Sequence, residues 1–66
     1  MTPTAVGQVV KFHSPFPDED PNQLYVVLGL ITDVEKPRAH IRALSEDSYL
    51  NPINVVNLVD ICLITN

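Results

Sequence analysis

The sequence predicts an all-β fold, a small and partly open barrel of five short strands that forms one domain over residues 1–66. The longest unbroken apolar run, Leu24–Ile31, is bounded by turn-forming residues, as is typical of a buried strand. Three prolines within Ser14–Gln23 prevent a helix or a strand from persisting there. The segment Arg38–Leu44 alternates apolar and polar residues with the period of two of a half-buried strand.

The composition favours a small intracellular domain without a disulfide bond. The 66 residues carry a net charge of −4 and a single cysteine, Cys62, so no intramolecular disulfide can form. A chain of this length buries only about 60% of its unfolded surface, which leaves association with another subunit as an option. The acidic balance argues against general binding to nucleic acid or to anionic membranes.

The sequence also indicates where the protein works. No apolar run approaches the ~18 residues of a membrane span, and the first residues do not resemble a secretory signal. One reduced cysteine is consistent with the cytoplasm, so we expect a soluble cytoplasmic protein that does not enter a membrane.

The first predicted strand is Val6–His13, preceded by a mobile tail over residues 1–5. Alternation places Val10 and Phe12 in the core and leaves Val9 half-buried. The loop Ser14–Gln23 that follows is semi-rigid and acidic at its tip, because its prolines fix the backbone and its carboxylates require water.

The apolar run is predicted to be the central strand. One face carries Leu24, Val26, Leu28 and Leu30, and the other carries Tyr25, Val27, Gly29 and Ile31. Gly29 is the expected position of a bulge or a sharp bend. A barrel strand with apolar residues on both faces implies a cover for the second face, either the loop around Phe16 or another protein.

The remaining elements are short. In chain order they are a polar turn over Thr32–Pro37, a strand over Arg38–Leu44, an irregular connection over Ser45–Pro52, a strand over Ile53–Leu58, a tight turn or 3₁₀ turn over Val59–Ile61, and a closing strand over Cys62–Ile64. A helix over residues 54–64 is the alternative, although the density of β-branched residues disfavours it.

This order of elements resembles the SH3-like small barrels. The residues that carry the resemblance are Gly7–Phe12, the long acidic loop, Tyr25–Leu28 and the stretch Val56–Leu63. The arrangement is similar to short, functionally uncharacterised bacterial proteins that consist of one such barrel. The resemblance implies a five-stranded barrel with a long loop after strand 1 and a 3₁₀ turn before the last strand, and it does not imply a function.

We expect no catalytic residues, no metal and no cofactor. Asp18, Asp20 and Asn22 match the first ligand positions of a calcium loop, but the required glycine and the final glutamate are missing. The two histidines and Cys62 are too isolated to predict a zinc site. The chain contains no nucleophile motif or phosphate-binding loop, so an enzyme is not expected.

A basic row is the first candidate surface. Lys36, Arg38, His40 and Arg42 share one face at a spacing of two. The plain interpretation is a solvated outer face whose cations meet Glu or Asp across the strands. The alternative is an anion-binding face for nucleic-acid phosphate or for an acidic protein, although the sequence offers no exposed aromatic platform for bases.

An apolar surface is the other candidate, and it is the one that the sequence favours over any charged motif as the partner surface. Its predicted members are Leu24, Val26, Leu28, Leu30 and Phe16. A groove for a Pro-rich peptide, with Phe16, Tyr25, Tyr49 and Pro52 as its lining, resembles SH3 domains only in part, because the chain has no tryptophan.

The predicted function is that of a small non-catalytic interaction module. Its partner is a protein, with self-association through an open edge strand as one form of that binding. The alternative is a nucleic-acid-associated module that uses the Lys36, Arg38, His40 and Arg42 face.

Overall fold

Five short strands make up the structure, a computed structural model that describes residues 1–18, 20–45 and 51–64. The strands are β1 (Val9–Phe12), β2 (Tyr25–Ile31), β3 (Arg38–Ala43), β4 (Ile53–Asn57) and β5 (Ile61–Leu63). A 3₁₀ turn, Leu58–Asp60, connects the last two. All pairings are antiparallel, and the single sheet has the order β4-β3-β2-β1-β5. The fold is therefore all-β, with the apolar run as its central strand, as predicted.

A small core lies on the inner face of this sheet. Its fully buried members come from four strands and are Val10, Val27, Ala39, Ile41 and Ile61. Phe12 and Tyr25 extend the core with an edge-to-face ring contact, in which the ring centroids are 5.3 Å apart and the planes are inclined by 81°. Such ring pairs add stability beyond the area that they bury. The predicted core positions Val10 and Phe12 are confirmed.

A bulge in β2 changes which residues face the core. Val27 pairs with Ile41, but the next pair on β3 joins Gly29 to His40, so Leu28 is an additional residue. One inserted residue reverses the alternation of a strand. Leu30 consequently packs against the core. The predicted bend near Gly29 is present, but placing Leu30 on the face of Leu28 was wrong.

A glycine turn shortens the first strand. Gly7 has a φ of +94°, and its N–H donates to the carbonyl of Val27 at 2.8 Å. This left-handed backbone interrupts the extended chain, so β1 begins at Val9 and not at the predicted Val6.

The first five residues contact the rest of the fold. Pro3 is buried, and the carbonyl of Met1 accepts a 2.7 Å hydrogen bond from the N–H of Leu63 on β5. The amides of residues 4 and 5 donate to the side-chain oxygen of Gln8 at 2.7 and 3.0 Å. These contacts argue against the free movement that the sequence predicts for this tail.

The C-terminal part consists of strands joined by the 3₁₀ turn, so the helical alternative for residues 54–64 was wrong. The turn and β5 each begin one residue earlier than predicted, at Leu58 and Ile61 respectively. The shift places Ile61 in the core, where it pairs with Phe12. The N–H of Leu58 donates to the carbonyl of Pro37 at 2.9 Å, which ties the turn to the start of β3.

Two isoleucines of neighbouring strands test the position of the core. We expect Ile41→Ala to lower the free energy of unfolding by about 2–5 kcal/mol, because Ile41 is fully buried and its loss leaves a cavity. The matched control Ile53→Ala removes the same atoms from an exposed position and should cost no more than about 0.5 kcal/mol. Urea unfolding measures both, and equal losses would contradict the inner and outer faces assigned to the sheet.

The two glycines provide a second comparison. Gly7→Ala should destabilise the fold by about 1–2 kcal/mol, since an L-residue is strained at a φ of +94°. Gly29→Ala should change stability by less than about 0.5 kcal/mol, because a Cβ there meets the ring of His40 only at ordinary contact distance, 3.7 Å. Thermal unfolding measures the stability of both variants. A larger loss of stability in Gly29→Ala than in Gly7→Ala would show that the bulge does not tolerate a side chain.

Candidate functional site

The outer face of β2, β3 and β4 carries both arginines and one of the two histidines. Arg38, His40 and Arg42 lie along β3 with the alternation that points Ala39 and Ile41 to the core. Residues directly opposite in antiparallel strands share a face. The β2 partners are Ile31, Gly29 and Val26, and the β4 partners are Asn57, Val55 and Ile53. We call these nine residues the cationic face.

The cationic face contains no carboxylate. Its cross-strand neighbours are apolar apart from Asn57, so the acidic partners expected from the plain interpretation of the basic row are not on the adjoining strands. Within residues 1–18, 20–45 and 51–64, no ion pair joins Arg38 or Arg42 to an acid, and the buried Nε of Arg42 has no hydrogen-bond partner. Glu35 and Asp60 line surface depressions beside Arg38, but neither carboxylate forms an ion pair with it.

Apolar side chains flank the cations. Ile31 is 36% exposed, and Ile53 and Val55 on the other side of the row are 49% and 53% exposed. Gly29 leaves the space opposite His40 without a side chain. Alternating cationic and apolar strips on one sheet surface suit a ligand that combines anionic and apolar groups.

Lys36 lies outside the regular part of the row. It belongs to the connection between β2 and β3, so its position does not follow from strand alternation. Together with Glu35, Arg38, Ile31 and Val34 it surrounds an open surface depression of about 430 Å³. The structure thus brings Lys36 near Arg38, but beside an acidic residue.

The predicted apolar surface is divided. Leu24 and Leu28 are partly exposed at the margin, and Val26 is half-buried on the cationic face opposite Arg42. Leu30 packs against the core, because the bulge turns it inward. Phe16 is 73% exposed and belongs to a different region. These five residues consequently do not form one surface.

Phe16 lies at a cleft between the β1–β2 connection and the C-terminal elements. The cleft has a volume of about 350 Å³ and is lined by Phe12, His13, Ser14, Phe16, Val56 and Asp60. His13 connects the two sides of the cleft. Its Nε2 lies 2.6 Å from the carbonyl oxygen of Val59, and its backbone N–H donates a hydrogen bond to the carbonyl oxygen of Asp60 at 3.3 Å. Of the expected groove residues, Tyr25 packs on Phe12 in the core, and Tyr49 lies outside the described residues.

The acidic loop is organised by its own backbone. A carboxylate oxygen of Asp20 accepts from the N–H of Asn22 at 2.8 Å, and the carbonyl of Asp20 accepts from the N–H of Gln23 at 3.1 Å. Side chains of this type commonly stabilise turns in this way. Across the described ranges, no three His, Cys, Asp or Glu residues are grouped so that they could hold a metal ion. In the same ranges no helix has the length and apolarity to cross a membrane.

Two features of the surface could not be found in the sequence. Alternation groups Ile53 with Val55, but only the pairing with β3 shows that they flank the arginines. Lys11 and Cys62 are 51 positions apart, and the register of β1 and β5 places them directly opposite each other. Sequence signals for such cross-strand neighbours require a known register, which local patterns do not supply.

Comparison of the chain with protein-family models, with curated proteins and with solved structures finds no match.

The contacts of the His13 ring with Ser14 and Val59, which we call the His13 clasp, are testable. We expect His13→Ala to lower the free energy of unfolding by about 0.5–1.5 kcal/mol, because it removes the hydrogen bond to Val59 and the contact with the Ser14 hydroxyl at 3.0 Å. His40→Ala is the control, since no described group bonds to that ring. Amide hydrogen exchange in the 3₁₀ turn should accelerate only in the His13 variant; unchanged exchange there would show that the clasp does not stabilise the turn.

Proposed function

We propose that the protein is a non-catalytic interaction module built on an SH3-like barrel, and that it binds protein through its cationic face. The barrel assignment is supported by the sheet order β4-β3-β2-β1-β5, by the long connection between β1 and β2, and by the 3₁₀ turn before β5. A cytoplasmic location is part of the proposal, because a single cysteine is compatible with a reducing compartment.

The observation that carries the proposal is the row of two arginines and one histidine between exposed apolar strips. A guanidinium group pairs well with carboxylates, and the planar fork of arginine favours two parallel hydrogen bonds. Val55 and Ile53 offer apolar area beside these cations. We infer that the partner is an extended protein segment in which acidic and apolar side chains alternate.

Charge complementarity also favours a protein segment that is locally acidic. The described carboxylates all lie outside the strands, at Asp18, Asp20, Asp33, Glu35 and Asp60. The protein is therefore acidic overall but basic on this one face. A local basic surface orients an acidic partner during encounter even when the net charge is unfavourable.

Nucleic acid is the second candidate partner, because the same row could meet phosphates. Two observations weigh against it. The net charge of −4 repels a polyanion at longer range, and the nine residues of the cationic face include no Phe, Tyr or Trp on which a base could stack.

A peptide titration tests the proposed function. The probe is a peptide of alternating Glu and Leu, compared with the same peptide carrying Lys in place of Glu and with single- and double-stranded oligonucleotides at about 50 mM salt. We expect the protein to bind the Glu-containing peptide alone, because only that probe offers both carboxylates and apolar groups without a polyphosphate chain. Binding of the oligonucleotides in preference to the peptide would replace the protein partner with nucleic acid.

Charge-reversal variants locate the site. Arg38→Glu and Arg42→Glu should each weaken binding of the Glu-containing peptide about tenfold or more. Lys11→Glu changes the net charge by the same amount, but it lies on β1 opposite Cys62, so it should leave affinity within about twofold. Equal weakening by all three substitutions would mean that net charge, and not the cationic face, governs binding.

A further inference from the structure

The free edge of β4 carries an inference that does not depend on the cationic face. Of the two outer strands of the sheet, β5 has three residues, and its Leu63 N–H is already bonded to the carbonyl of Met1. β4 has five residues and pairs with β3 without a register shift. We propose that β4 pairs with β4 of a second copy of this chain, antiparallel and about a two-fold axis.

The direction of the backbone groups along β4 follows from the ladder. In antiparallel strands the N–H and C=O of alternate residues point to the same side. The N–H of Leu58 points to the carbonyl of Pro37 at the start of β3, so the backbone groups of Val56 and Asn54 also point to β3. Those of Ile53, Val55 and Asn57 therefore point to the free edge.

The neighbouring strand pair supports this assignment. The N–H and carbonyl of Val27 bond to the backbone of Gln8 and Gly7, away from β3. Its partner Ile41 is thereby free to bond to Asn54 on the other side. Among the described residues, no backbone hydrogen bond outside the ladder involves the edge-directed groups of β4.

β4 lacks the devices that usually prevent edge pairing. Natural edges are protected by charged side chains, proline, bulges or very short strands. Ile53–Asn57 contains no charged residue and no proline, and it is regular over five pairs. Its outward side chains Ile53 and Val55 are about half exposed. Such a strand presents to a partner both apolar area and backbone groups that bond to no described residue.

A second copy fits this edge because the strand is compatible with itself. Antiparallel pairing centred on Val55 places it opposite Val55 of the second copy, and Ile53 opposite Asn57 of the second copy. All of these residues direct their backbone groups to the edge, so the pairing can form six hydrogen bonds. β4 carries no charge, so no like charges become directly opposite. The rows of Arg38 and Arg42 in the two copies stay three strand spacings apart, ~14 Å.

The proposed dimer joins two five-stranded sheets into a continuous ten-stranded sheet. On its outer side the half-exposed Ile53 and Val55 of both copies form one apolar strip, bordered by a cationic row on each side. The self-association thus extends the surface to which the proposed function assigns binding, without covering it.

Sedimentation over a concentration series up to about 1 mM tests the pairing. The wild type should show a concentration-dependent shift from monomer to dimer. Val55→Lys and Val55→Glu should each abolish dimers, because two like charges would lie directly opposite each other at the two-fold axis. An equimolar mixture of these two variants should restore dimers, since Lys then lies opposite Glu.

The control is Val59→Lys, which adds the same charge to an exposed position outside the strand. It should dimerise as the wild type does, and circular dichroism should show the same β spectrum for all four proteins. A wild type that stays monomeric, or a mixture that stays monomeric when each variant is folded, would overturn the proposal. Peptide binding is therefore measured on the wild type, diluted below the concentration at which dimers form. Binding without dimers at any concentration would overturn only the pairing, and dimers without binding would overturn only the proposed function, so the two failures are distinguishable.

Discussion

The one-residue bulge in β2 is the constraint on which the rest of the structure depends. β2 pairs with both β1 and β3, so its side chains determine which faces the neighbouring strands present. Up to Val27 the strand alternates regularly, and the additional residue Leu28 then reverses the alternation. Leu30 completes the core beyond the bulge, and Gly29 comes to lie opposite His40 on the outer side. Without this inversion, Leu30 would face outward opposite Arg38, and Leu28 would lie opposite His40 on the outer side.

The small size of the core explains the character of the outer surface. Among the described residues the buried core cluster consists of five side chains, and a chain of 66 residues leaves a large part of its apolar atoms accessible. Ile53 and Val55 remain outside while carboxylates occupy the connections. The result is a sheet face with cations and apolar groups but no acid, next to an edge strand without charge. Recognition by a partner is the ordinary use of surfaces with this composition, because binding removes the exposed apolar area from water.

Much of this fold follows from local patterns in the sequence. Alternation placed Arg38, His40 and Arg42 on one face of a half-buried strand, and the structure has Ala39 and Ile41 buried on the opposite face, because β3 is regular from end to end. The same rule failed at Leu30, because a bulge is set by the fit of β2 on two neighbours and not by its own sequence. The start of β1 was missed for a similar reason. The left-handed backbone of Gly7 accompanies hydrogen bonds between residues 7–8 and Val27 of β2, and such long-range contacts are not visible in the local sequence. The row of cations was predictable, whereas its apolar flanks depended on the register with β2 and β4.

Chemical-shift mapping by NMR tests the central claim, that the cationic face is the protein-binding surface. The uniformly ¹⁵N-labelled protein is titrated with the peptide of alternating Glu and Leu. The account predicts that the shifted amides are those of β3 and β4, with the largest changes at Arg38, His40, Arg42 and Val55, and that added salt diminishes them. Shifts confined to the cleft around His13 and Phe16, with β3 unchanged, would contradict it and would move the binding site to that cleft.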